Sequence, residues 1–197
     1  MKSLLLVVAL AGCAEKIGPA PNDNPDAGPL PDGGSDGSVQ PTGNVTTTTN
    51  ADGSSTTLIN STSTSEWIYI DIADFTESEE SGPWDIRFQR FHISVNGGAT
   101  GSGGVDAAPL DVAFDAVSVA PTSGWISDAD TDGNGTIEYA FEQGDGWYDY
   151  NVETHVLTPK PLVWVVRSAD KTIKLQLKKY YDTAGTAGWF TVTWRAL

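Results

Sequence analysis

The stretch Trp84-Asp-Ile-Arg-Phe-Gln-Arg-Phe-His-Ile-Ser-Val-Asn-Gly-Gly98 restricts the fold of this chain more than any other. Aromatic and β-branched residues dominate it, and Pro83 and Gly97-Gly98 bracket it, so it reads as strand. Its alternation changes phase. Trp84, Ile86 and Phe88 put the apolar side on even positions, whereas Phe91, Ile93 and Val95 put it on odd ones. One flat strand against one core cannot do both. A bulge or sharp bend near Gln89-Arg90, carrying the strand from one layer to another, reconciles the two halves. His92 then falls on the polar face of the second half, with Arg90 and Ser94.

The rest of the chain agrees with a β architecture. Val45 to Thr49 and Ser54 to Ile59 read as a hairpin with its turn at Asp52-Gly53, and the Ser/Thr-rich arms suggest an exposed ribbon. Trp67 to Ile72 is the next strand. Leu162 to Val166 is continuously apolar, so it belongs at the centre of a sheet. Ile173, Leu175 and Leu177 alternate with Lys174, Gln176 and Lys178; Phe190, Val192 and Trp194 alternate with Thr191, Thr193 and Arg195. Asp111 to Val119 reads as a strand or short helix, and Glu138 to Phe141 as a short strand. No segment holds ten residues of helical periodicity. The expectation is an all-β fold: a single antiparallel domain over residues 45–197, with few or no long helices.

The N-terminus is of another kind. Met1-Lys2-Ser3 precedes an apolar run from Leu4 to Leu10, and Leu10-Ala11-Gly12-Cys13 follows. Small residues before a lone Cys after such a run resemble a bacterial lipoprotein signal, cleaved before Cys13 with lipid attached to that thiol. Cys13 is the single cysteine of the chain, so no disulfide or thiolate metal site is expected in the domain. Residues 14–44 are rich in Pro, Gly, Asp and Ser and read as a disordered tether. The expected location is therefore a membrane surface, reached through the lipid on Cys13: the outer membrane or cell surface of an exporting cell. A net charge of −15 argues against nucleic acid, whose phosphates require a basic face. Most of the basic residues gather late, at Lys160, Arg167, Lys171, Lys174, Lys178, Lys179 and Arg195, either as solvated strand faces or as a patch for an anionic ligand.

Catalysis is poorly supplied. There is no Gly-x-Ser-x-Gly elbow, and with two histidines and no free Cys only carboxylates are left to complete a zinc site. The glycine-rich Asn96 to Gly104 lacks the Lys and the following helix of a phosphate loop. An enzyme is not expected; a binding protein is. Asp128, Asp130, Asp132, Asn134 and Glu138 resemble the first half of a calcium loop. The second half departs from it, since Glu138 is eleventh rather than twelfth, and Asp and Gly also suit a solvated turn.

An ordered set of residues carries one family resemblance. Trp84-Asp85-Ile86, Asn96-Gly97-Gly98, Gly146 to Tyr150 with Thr154-His155, Val163 to Arg167 with Ala169-Asp170, Lys174-Leu175, Tyr180-Tyr181 and Gly188 to Thr191 resemble the HmuY family of haem-binding lipoproteins, over roughly residues 65–197. The resemblance implies an all-β domain of HmuY-like type at the cell surface. It also implies capture of haem for iron acquisition, with transfer to a TonB-dependent outer-membrane receptor. Family members that bind haem use His or Met pairs after the Asn-Gly-Gly loop. The one Met here is Met1, so His155 is the candidate ligand in that half. Tyr148 and Tyr150 are phenolate candidates and His92 a weaker alternative; the late Lys and Arg residues are candidate partners for haem propionates or another flat anionic molecule. The competing expectation is a structural or interaction β-module that does not bind haem, with or without calcium.

Overall fold

A computed structural model describes residues 43–197; Cys13, the signal segment 1–13 and all but the end of the tether 14–44 lie outside the described residues. The described residues form twelve strands and two short 3-10 turns, and the fold is all-β as expected. In chain order the strands are β1 (Val45–Thr49), β2 (Ser55–Asn60), β3 (Ile68–Asp71), β4 (Thr76–Ser78), β5 (Ile86–Gln89), β6 (His92–Val95), β7 (Asp106–Leu110), β8 (Tyr148–Asn151), β9 (Val156–Pro159), β10 (Val163–Arg167), β11 (Thr172–Tyr181) and β12 (Ala187–Ala196). A six-stranded sheet runs β1-β2-β12-β11-β10-β7, a four-stranded sheet runs β4-β3-β5-β6, and β8-β9 stand as a separate pair. Every pairing is antiparallel.

The alternation of the late strands becomes the core. Leu175, Phe190 and Val192 of the larger sheet and Ile70, Ile86, Phe88 and Ile93 of the smaller one are buried in a shared cluster. Phe88 meets Phe190 edge-on at 5.2 Å, and Phe75 stacks on Trp194 at 5.1 Å. Each such ring contributes about 1.5–3 kcal/mol by leaving water. β10 is buried on both sides, as its unbroken apolar run requires. Trp164 and Val166 enter the main core, while Val163 and Val165 pack with Val117 in a second, smaller cluster.

The phase change has a different cause from the expected bulge. Gln89 pairs with His92, so β5 and β6 are the arms of a hairpin whose two-residue loop is Arg90-Phe91. Arg90 takes a left-handed backbone (φ 50) in that loop, which Gly or Asn more often supplies. Its amide donates to Ser61 O at 2.7 Å, and its Nη1 donates to Thr62 O and Ala187 O at 3.3 and 3.4 Å. The turn is thereby anchored to the neighbouring sheet. Ser94, expected on a polar face, is fully buried.

Two further expectations change, a third is met in part, and one strand was not foreseen. The β1-β2 ribbon is not free-standing: β2 pairs with β12, Ile59 and Thr57 are fully buried, and Trp194 Nε1 donates to Thr57 Oγ1 at 2.9 Å. Residues 138–141 form no strand; Glu138 makes a single bridge to Ala129 and Ala140–Glu142 is a 3-10 turn. Within 111–119 only Phe114–Ala116 is regular, again 3-10. β7 was not foreseen; it carries Pro109, which is tolerated because β7 is a sheet edge.

Candidate functional site

The β8-β9 hairpin carries most of the candidate ligands. Its register pairs Tyr148 with Pro159, Tyr150 with Leu157 and Asn151 with Val156, leaving the four-residue loop Val152 to His155. Asn151 shapes that loop: its Oδ1 accepts from the amides of Glu153 (2.9 Å) and Thr154 (3.0 Å). The His155 amide donates to Asn151 O at 2.8 Å, and His155 closes the loop with a left-handed backbone (φ 56).

The hairpin is anchored at its base and open at its tip. Trp147 is buried, donates from Nε1 to Phe91 O at 3.0 Å and packs on Tyr180 and Phe190. Leu157 is buried and its amide donates to the Tyr181 hydroxyl at 3.0 Å. At the tip, Tyr150 is 38% exposed and Val152 73% exposed.

The structure brings together two of the expected residues here and separates the others. The Tyr150 hydroxyl lies 2.5 Å from His155 Nδ1. Tyr148 is half-buried in the packing layer, 4.8 Å from the Trp147 ring and 6.2 Å from Phe91. His92 lies beyond Phe91, whose ring is 4.1 Å away, and is also edge-on to Tyr139 at 5.3 Å. Its Nδ1 is 2.9 Å from Glu142 Oε1. It thus ties the β5-β6 turn to the segment that crosses it.

The five candidate calcium ligands divide. Asp128 is fully buried and turned inward: its carboxylate accepts from Ser94 Oγ and Thr100 Oγ1, both at 2.6 Å, from the Ala140 amide at 2.7 Å and from the Val95 amide at 3.3 Å. It braces the glycine loop and the 3-10 turn against β6. Asp130, Asp132 and Glu138 place a carboxylate oxygen each within 4.8 Å of one another. Asp130 accepts from the amides of Gly133, Asn134 and Gly135, and Glu138 from the Thr131 amide and hydroxyl. Asn134 serves the turn itself, donating to Asp132 and accepting from the Thr136 amide. These are the bonds of an Asx-rich hairpin tip. Beyond the proximity of these three carboxylates, two exposed and one half-buried, nothing supports calcium.

The basic residues do not form one patch. Arg167 bonds Asp106 at 3.0 Å and lies 3.8 Å above the Trp125 ring. Lys171 bonds Asp71 at 2.7 Å with Asp85 at 3.5 Å, and Arg195 is 3.5 Å from Asp52. Lys160 reaches Asp145 O and lies 3.7 Å from Asp149; Lys178 donates to Gln176. Lys174 is buried, with Nζ donating to Phe114 O (2.7 Å) and Val117 O (2.8 Å); burial, then the nearby Arg195 charge, hold its ammonium pKa below the ordinary value.

Sequence reasoning missed one cluster. Arg87 lies 4.3 Å from the Trp67 ring and 5.2 Å from Trp84, and Tyr139 meets Trp67 edge-on at 5.5 Å. Burial raises the Tyr139 phenol pKa. Its members come from three separate segments with no shared motif; the pairing of β3 with β5 joins the first two, and Tyr139 comes from the loop before the second 3-10 turn.

The donor set at the hairpin tip fits iron porphyrin chemistry, because imidazole and phenol are both axial ligand types and the adjoining Val152 is apolar. A family model described as HmuY protein matches residues 63–194. No curated protein matches the chain. Among solved structures, it is similar to the Tannerella forsythia apo HmuY analog at TM-score 0.56 and 13% identity, covering 73% of this chain and 95% of that one. It is also similar to a Bacteroides vulgatus protein described as an HmuY-like haem-binding protein, at TM-score 0.56 and 19% identity, covering 72% and 90%. A third, a Bacteroides fragilis protein described as a lipoprotein, matches at TM-score 0.55 and 18% identity, covering 75% and 91%.

Proposed function

The chain belongs to the HmuY family, and on that premise we propose that it is an exported binding protein that takes haem at the tip of the β8-β9 hairpin. The observation that carries this reading is the contact between the Tyr150 hydroxyl and His155 Nδ1 at 2.5 Å, on an exposed tip whose base is fixed. Bound haem would supply an iron centre open to axial ligation by nitrogen or phenolate oxygen. The chain supplies the ligand candidates His155, Tyr150 and, from the packed side, Tyr148. Val152 offers an apolar face to a porphyrin edge. His92 is the weaker candidate because Glu142, Phe91 and Tyr139 already surround it.

Haem titration tests the proposal. A saturable Soret shift at one equivalent, weakened by His155→Asn, supports it; Asn suits a left-handed backbone and so spares the loop. A spectrum equal to free haem plus inert protein overturns it, leaving the alternative of a structural or interaction module.

The same reading places the protein at the outer membrane or cell surface through lipid on Cys13, above the 14–44 tether, passing its ligand to a TonB-dependent receptor. Labelled fatty acid incorporated by the wild type and not by Cys13→Ala checks the anchor. Pull-down of the receptor with loaded and unloaded protein checks the partner.

A further inference from the structure

We infer that Tyr150 is a positioning residue for His155, occupying Nδ1 so that Nε2 is the metal-facing nitrogen of the hairpin tip. The inference rests on the haem reading above and assigns different roles to two residues which that reading leaves equivalent.

The first support is the geometry of the pair. The 2.5 Å contact is made to Nδ1, so that nitrogen is occupied and Nε2 is the ring atom left for a metal. The rings sit 6.0 Å apart at 49°, meeting through the hydroxyl rather than by stacking. A neutral imidazole that gives its Nε2 lone pair to a metal carries its proton on Nδ1. In that state Nδ1–H donates and the Tyr150 oxygen accepts; with Nε2 protonated instead, the Tyr150 hydroxyl donates to Nδ1. One contact therefore serves both tautomers, and metal binding selects between them. Ligating histidines commonly hold such a partner on the second nitrogen, which fixes ring orientation and raises ligand basicity.

The second support is the backbone. The described non-glycine residues with positive φ are Phe75, Arg90 and His155. Packing accounts for the first. Phe75 ends a loop of the same length, Ile72 to Phe75 between Asp71 and Thr76, and its ring is buried on Trp194. Hydrogen bonds across to the neighbouring sheet account for Arg90. His155 is exposed, so burial offers no such return, and its ring is directed to Tyr150. The same backbone at the closing position of two loops of equal length belongs to the loop, and at His155 it directs the ring to Tyr150. Val152, 73% exposed in the same loop, adds an apolar side chain to the tip.

The test compares the wild type, Tyr150→Phe and His155→Asn by titration with haemin, and reads the tautomer of the His155 ring by nitrogen NMR in haemin-free protein. Melting curves establish that each variant is folded. Tyr150→Phe should keep one-equivalent binding, weaken affinity by about 10- to 100-fold and shift the EPR signature of the bound iron. His155→Asn should remove that signature. In haemin-free protein, Tyr150→Phe should change the tautomer populations of the His155 ring, because Nδ1 loses its partner. Two outcomes overturn the inference while leaving the haem reading intact. One is a Tyr150→Phe variant with unchanged affinity, EPR signal and His155 tautomer populations. The other is a phenolate-to-iron charge-transfer band that disappears in Tyr150→Phe and survives in His155→Asn, which would make Tyr150 the ligand. Failure of the wild type to bind haemin at all overturns the haem reading, and this inference with it.

Discussion

Asp128 and Ser94 are joined by a 2.6 Å hydrogen bond in the interior, where neither residue is exposed to solvent. The same carboxylate holds Thr100 and two backbone amides, so it is the common acceptor of three segments. Removing it leaves several buried donors without a partner. Asp128→Ala should destabilise the protein by about 3–5 kcal/mol, and Asp128→Asn by less. Urea unfolding monitored by Trp fluorescence measures both. A loss under 1 kcal/mol for the alanine variant would contradict the bracing role.

Gly97 has no room for a side chain. A Cβ there would lie 2.1 Å from Val105 O, a backbone oxygen of a residue whose own amide is fixed by donating to Asn96 O at 3.1 Å. Gly97→Ala should therefore abolish folding or cost more than about 3 kcal/mol. Gly53 is the control: its φ of 79 is left-handed, but its surroundings are open. Gly53→Ala should cost only about 1–2 kcal/mol. Equal melting losses for the two would be inconsistent with the close approach at Gly97.

The Asp71–Lys171 pair sets an acid limit. Partial burial alone would raise the Asp71 pKa, but its bonds to Lys171 and to the Ala73 amide outweigh it and hold the pKa below the ordinary carboxylate value. A depressed carboxyl pKa adds stability above its unfolded value, near 3.9, and loses it as pH falls through the folded value. Wild type and Asp71→Asn should thus differ in urea midpoint at pH 6 and converge below about pH 3.9. A gap that does not narrow at all as pH falls from 6 through the acid range would assign the effect to something other than ionisation.

Lys174 behaves in the opposite sense from an ordinary paired lysine. Its folded pKa is lowered, so between that value and the unfolded one, near 10.4, the unfolded chain holds more protons. Wild-type stability should rise with pH across this window relative to Lys174→Met. At neutral pH the methionine variant leaves Phe114 O and Val117 O without their donor, at a cost of about 1–3 kcal/mol. Paired denaturation series from pH 7 to 10.5 read both effects.

The late strands were legible because Ile173, Leu175, Leu177 and Phe190, Val192, Trp194 alternate without interruption, and period two has one structural meaning. The phase change at Gln89-Arg90 was a correct signal with two possible causes. Arg90-Phe91 has none of the Gly or Asn that marks a two-residue hairpin loop, so a bend looked as good as a turn. The inward course of Asp128 and Lys174 was hidden because local pattern assigns charged residues to solvent. Only tertiary partners such as Ser94 and Phe114 O make their burial affordable. At the hairpin tip, Tyr150 and His155 were visible as residue types five apart, but their contact depends on the loop that Asn151 shapes.

The anchoring of the β8-β9 hairpin has a consequence for how such a protein can change over generations. Trp147, Leu157 and the Tyr181 hydroxyl secure the base, whereas Glu153, Thr154 and His155 are held by Asn151 and, for the His155 ring, by Tyr150. Substitutions at the tip leave the main sheets undisturbed, and those at the base leave the tip's chemistry in place. On the proposed haem reading, ligand choice and structural integrity would therefore answer to different residues.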